Sequence, residues 1–190
     1  YVHYLGLLFL SGCTFTQQIS LHNPKNEAID SLIESYNDTL AGNPRQAIRL
    51  FTSLKRENHD SVAIHKLNLA LSKAYFFANS PDSAFHLNRE VIRFCNQSPT
   101  QASHLALKGM AYNSQGLFWQ EQSRRDSAIP CYREALDILQ NACLMRPSID
   151  VCINLADCYQ QDGNYLQSGL YYRKALYLVD SLDMGSRYHY

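Results

Sequence analysis

The chain has 190 residues, 46% of them hydrophobic and 18% charged, with 17 basic residues balanced by 17 acidic ones. That length and apolar content are enough for one domain with a continuous core. The charge balance removes the polycation footprint of a nucleic-acid binder, and Lys66, Lys73 and Arg93 are too few to argue a basic face. The eight glycines do not cluster into a phosphate loop, and no Gly-x-Ser-x-Gly elbow occurs.

Tyr4–Leu10 is a short apolar run that ends in Leu10-Ser11-Gly12-Cys13. It is too short to cross a bilayer as a helix and fits the apolar core of a signal peptide. The four residues resemble the lipobox of a bacterial lipoprotein. That resemblance implies a signal peptide over 1–12, lipidation of Cys13, and a lipid-anchored location in the cell envelope, periplasmic or outer-membrane. A fragment of buried helix is the alternative. No initiator Met and no Lys or Arg precedes the run, as in a chain lacking its first residues. Residues 13–25, polar and containing Pro24, read as a flexible tether.

From 26 to 184, apolar residues recur at helical spacing with no alternating β-branched run, which predicts an all-α domain. The first helical pair carries Tyr36, then Ala47, Phe51 and Leu54 behind a first-turn Pro44. The second carries Ser72, Tyr75, Ala84, Asn88 and Val91. The third carries Gly116, Trp119, Ala128, Tyr132 and Ala135, and its first helix reads as a long one from Thr100 to Glu121. The fourth carries Ala156, Tyr159, Ser168, Tyr172 and Ala175. Asp82 and Asp126, each before Ser-Ala, read as N-caps of second helices, and Asn164 follows Gly163 as another. Ser181–Gly185 reads as the end of the fourth pair, and 185–190 as the opening of a further, truncated repeat.

The last two sets match position for position, 40 residues apart, while steps of 44 and 37 residues lead back to Val91 and Leu54. Self-similarity at such a period marks a solenoid. Small and aromatic residues at these positions resemble the tetratricopeptide repeat. The steps exceed the usual period of about 34 residues, as in the longer repeats of bacterial regulators and kinesin light chains. The resemblance implies a right-handed superhelical solenoid of about four helical hairpins, bacterial and Bacteroidetes-like in combination with the lipobox. The implied function is a non-catalytic, envelope-anchored scaffold for protein or peptide binding, or the sensory module of a regulator. A carbohydrate-binding outer-membrane lipoprotein of glycan capture is the alternative.

In that family the first helices line a concave groove. Numbering so that Ala175 is position 27, groove positions 2, 5, 9 and 12 fall on Lys66, Leu69, Lys73 and Phe76 in the second pair. They fall on Met110, Asn113, Leu117 and Gln120 in the third, and on Asp150, Ile153, Asp157 and Gln160 in the fourth. This implies a mixed groove suited to an extended peptide or a partner helix. An unused solvated face is the other reading of the same residues. A carboxylate clamp is not supported, because Leu69 and Lys73 stand where it wants Lys and Asn.

Six cysteines include no Cys-x-x-Cys pair, and seven histidines include no His-x-x-x-His. No metal site, cofactor or catalytic constellation is expected. The cysteines other than Cys13 read as small core hydrophobes, with a single bridge such as Cys143–Cys152 as the alternative.

Overall fold

The computed structural model describes residues 24–37 and 42–187. The described residues form eight α-helices and no strand: α1 (Pro24–Asn37), α2 (Pro44–Glu57), α3 (Ser61–Phe77), α4 (Pro81–Cys95), α5 (Ala102–Glu121), α6 (Arg125–Asn141), α7 (Met145–Gln161) and α8 (Tyr165–Arg187). The apolar run at 4–10 and Cys13 lie outside the described residues.

From α2 onward each helix packs on the next one in the chain, and α3 also touches α1 and α5, while α5 touches α7. No second helix packs comparably on another second helix. The odd-numbered helices therefore form an inner layer and the even-numbered ones an outer layer, which is the architecture of a tetratricopeptide-like solenoid.

Four tight turns fix the register. Ser80 N–H donates to Tyr75 C=O and Asn79 N–H to Phe76 C=O; the same pair of bonds closes α5 at Ser123 and Arg124, α6 at Cys143 and Leu144, and α7 at Gly163 and Asn164. These are Schellman motifs, which need a left-handed residue at their fifth position. Asn79, Ser123, Cys143 and Gly163 have φ of 59°, 59°, 57° and 76°. Asn79, Ser123 and Gly163 share one repeat position, so the second, third and fourth hairpins are in register.

The turns also relocate two expected caps. Asp82 and Asp126 are second residues of α4 and α6, whose N-cap positions are held by Ser80 and Arg124. There the carboxylates face the positive end of the helix dipole without capping it. Asp60 is a true cap, accepting from Val62 N at 2.8 Å and Ala63 N at 3.1 Å, and Asn164 Oδ1 accepts from Gln167 N. α5 begins at Ala102, close to the expected Thr100, and α8 runs through Gly185 to Arg187.

Small residues set the helix separations. Ala47, Ala84, Ala128, Ala135 and Ala156 are fully buried. A Cβ on Gly116 would stand 2.6 Å from Tyr132, and one on Gly109 would stand 2.5 Å from Leu139. The core runs as three clusters: Phe51 with Leu67 and Leu71, then Leu69 with Val91 and Leu107, then Tyr132 with Leu139 and Leu155. Rings bridge them: Phe76 stacks on Phe118 at 4.5 Å, and Phe94 lies between His65 and His104, at 3.8 and 4.7 Å. Asn88 replaces a ring in the second hairpin. It is fully buried, its Nδ2 donates to Ala111 C=O at 3.0 Å, and its Oδ1 has no partner.

Cys95, Cys152 and Cys158 are buried and free, and Cys131 is free and half-buried. Cys143 is disulfide-bonded, but not to Cys152, which is free; the Cys152 side chain sits among Val151, Leu155 and Leu139 as a core hydrophobe. Burial pushes the Cys95 thiol up to about 11.

Candidate functional site

The inner face is built from α1, α3, α5 and α7, whose side chains meet across the helix boundaries. Lys66 Nζ bonds both carboxylate oxygens of Asp30 at 2.7–2.8 Å. Asn154 Nδ2 donates to Asn113 Oδ1 at 2.9 Å, tying α7 to α5. Lys73 on α3 couples electrostatically with Asp150 on α7, across the intervening α5. Both side chains therefore face the side that α3, α5 and α7 share.

Lys73 keeps some area in water but is otherwise enclosed by protein. Desolvation holds its ammonium below the ordinary 10.5, and Asp150 opposes that shift. Desolvation likewise raises Asp150, against the pull of Lys73 and Arg146.

The expected groove residues divide into three groups. Leu69 is a correction: at 3% exposure it lies in the core with Val91, Cys95, Leu107 and Ala111. The reason is the length of α5, whose first turns lie over the middle of α3. Phe76 is spent on the stack with Phe118.

A second group serves as internal acceptors. Gln120 Oε1 takes the Tyr132 hydroxyl at 2.7 Å, and Gln160 Oε1 takes that of Tyr172 at 3.1 Å. Asp157 also accepts from Tyr172, and this bond holds the Tyr172 phenol above its ordinary value of 10. The sequence carried a signal for this, since Gln stands at position 12 wherever Tyr stands at position 24. The second hairpin has Phe76 and Asn88 instead.

The third group stays open. Met110 and Ile153 are 40% and 39% exposed, Leu117 is partly exposed, and the Asn113–Asn154 and Lys73–Asp150 pairs adjoin them. Asn154 was not singled out from the sequence, because position 6 was left out of the groove set. Among the described residues no group of three or more His, Cys, Asp or Glu could hold a metal, and no helix is long and apolar enough to cross a membrane.

The family model for the tetratricopeptide repeat matches residues 149–178. These residues are most of α7 and the first half of α8, the hairpin whose motif positions were clearest. That segment is a tetratricopeptide-type repeat, and the helical hairpins before it stack in the same way. Repeats of this kind are in general protein-interaction scaffolds, and here the signature rings are where stacking requires them: Tyr132 is fully buried and Tyr159 is 6% exposed. Comparison with curated proteins finds no match.

Proposed function

We propose that this helical-repeat protein is a non-catalytic scaffold that takes an extended segment of a partner protein along its inner face. The observation that carries this is the strip of apolar side chains left open there, Met110 and Ile153, beside the Asn113–Asn154 pair. Met110 lies one helical turn before Asn113, and Ile153 directly precedes Asn154. Apolar anchors next to amide side chains suit an extended backbone, which needs hydrogen-bond partners along its length and a few pockets for side chains. The glycan alternative draws no support from the rings, since Tyr132 and Tyr159 belong to the stack.

The Leu10-Ser11-Gly12-Cys13 sequence motivates a second element, anchoring in the cell envelope through lipid on Cys13. A sensory role is the case in which occupancy of the face is the signal. Replacing Met110 and Ile153 together with Asp tests the face. Cross-linked partner recovery falls at least tenfold with helicity unchanged, and an unaltered partner set refutes the assignment. Cys13→Ala releases the chain into the soluble fraction; retention with membranes rejects the anchor.

A further inference from the structure

Seven of the large apolar side chains that stand exposed among the described residues belong to α8. Leu166, Leu170 and Tyr177 are 73%, 43% and 60% exposed and line one side of the helix at steps of four and seven residues, with Leu176, 62% exposed, at the edge of that side. The corresponding positions are Asp126, Pro130, Leu136 and Asp137 in α6 and Asp82, His86, Ile92 and Arg93 in α4; Leu136 is buried, Ile92 half-buried and the others exposed. α8 therefore puts Leu166, Leu170 and Tyr177 where those helices present polar side chains or a proline to water.

Two charges sit in the middle of this strip. Arg173 and Asp180 are both exposed, two turns apart, and neither takes part in an ion pair among the described residues. Two turns is about 10.5 Å along a helix, too far for them to pair with each other. The part of the strip from Arg173 to Asp180 is therefore complementary to itself in one orientation. Laid antiparallel about a two-fold axis passing between Leu176 and Tyr177, two such helices place Arg173 opposite Asp180 twice, and Leu176 opposite Tyr177 twice, while Leu170 and Leu166 flank this centre opposite positions 183 and 187. A parallel pairing sets Arg173 against Arg173 and Asp180 against Asp180, and fails.

We infer that α8 is a self-association surface: two copies of the chain pair antiparallel through α8, with reciprocal Arg173–Asp180 ion pairs flanking a Leu176–Tyr177 centre. The inference does not depend on what occupies the inner face, which is built from the other layer of helices. One helix against one helix is a small interface, so dissociation constants in the range of about 1–100 μM are expected.

Sedimentation equilibrium of the 190-residue chain reads the outcome directly. The mass rises from 21.7 kDa toward twice that value with concentration. Arg173→Asp and Asp180→Arg each put like charges across the axis and weaken self-association at least tenfold. Mixed together, the two variants restore the dimer as a heterodimer, since one copy is acidic at both positions and the other basic. Both residues are exposed, and an unchanged circular dichroism spectrum shows that the variants fold. A wild-type chain that stays monomeric to about 1 mM overturns the inference. Self-association insensitive to both single substitutions, or a mixture that stays monomeric, overturns it equally.

Discussion

Adding one methyl group at two glycines should give effects of opposite sign. Gly116→Ala places a Cβ 2.6 Å from Cδ1 and Cε1 of Tyr132 and 2.9 Å from its Cζ. Carbon atoms settle at about 3.5–4.0 Å, so the ring must withdraw by roughly 1 Å. It cannot do so freely: Tyr132 is fully buried, and its hydroxyl is tied to Gln120 at 2.7 Å. Overpacking costs about 1–3 kcal/mol, and displacing the hydroxyl costs about 1 kcal/mol more. Alanine recovers about 1 kcal/mol of helix propensity. The net loss is about 1–3 kcal/mol, at roughly 2–4 °C of melting temperature per kcal/mol for a domain of this size. Gly169→Ala meets nothing within 4 Å and gains about 0.5–1 kcal/mol. Urea melts by circular dichroism, at concentrations too low for association, measure both. Hydrogen exchange in α5 and α6 then locates the loss, because a solenoid can unfold repeat by repeat. A stabilised Gly116→Ala chain would refute the packing of Tyr132 against α5.

Asp60→Ala removes the acceptor of two N–H groups at the start of α3 and costs about 1 kcal/mol, with faster exchange confined to the first turn of α3. Lys73 is held below its unfolded value of 10.5, so its cation costs stability at neutral pH, and that cost vanishes as pH rises through the unfolded value. Lys73→Met is therefore neutral to about 1 kcal/mol more stable at pH 7, with the gain shrinking toward alkaline pH; denaturant titration across pH detects it. The Cys95 thiol is raised to about 11, so its contribution is intact below the ordinary thiol range and is lost as pH rises through about 11. Timed alkylation with mass spectrometry finds half-buried Cys131 modified ahead of Cys95, Cys152 and Cys158.

The repeat was legible because it is written in residue size. Gly116, Ala128 and Ala135 against Ala156, Ser168 and Ala175 specify where helices approach closely, and the structure buries all six. The caps were less legible for a reason of turn geometry. A Schellman turn leaves only three residues between helices, and its last residue is also the N-cap of the next helix. The start of α4 is thereby set at Pro81, one residue before the better-looking Asp82. The fate of Leu69 was not legible either, since it depends on how far α5 reaches over α3, a relation between segments some forty residues apart. On the inner face, composition identified polar positions but not their partners. Asp30 for Lys66 and Asn113 for Asn154 are long-range pairs that no local pattern encodes.

Those pairings determine what kind of recognition the face supports. The charge of Lys66 is neutralised by Asp30, and Asp157, Gln120 and Gln160 are committed as acceptors to tyrosines of the outer helices. The tyrosine bonds join the inner and outer layers, so groups that look like ligand contacts instead hold the two layers together. Lys73 and Asp150 offset one another across it. Little net charge is left to steer or discriminate a partner by long-range attraction. What is left is shape, the apolar side chains Met110 and Ile153, and the Asn113–Asn154 pair, which can trade one side-chain bond for two to a guest backbone. Under the proposed binding role, selection on this face works at contact range, through a shape that a partner strand or helix must match, so the ordering cost falls on the guest rather than on the scaffold.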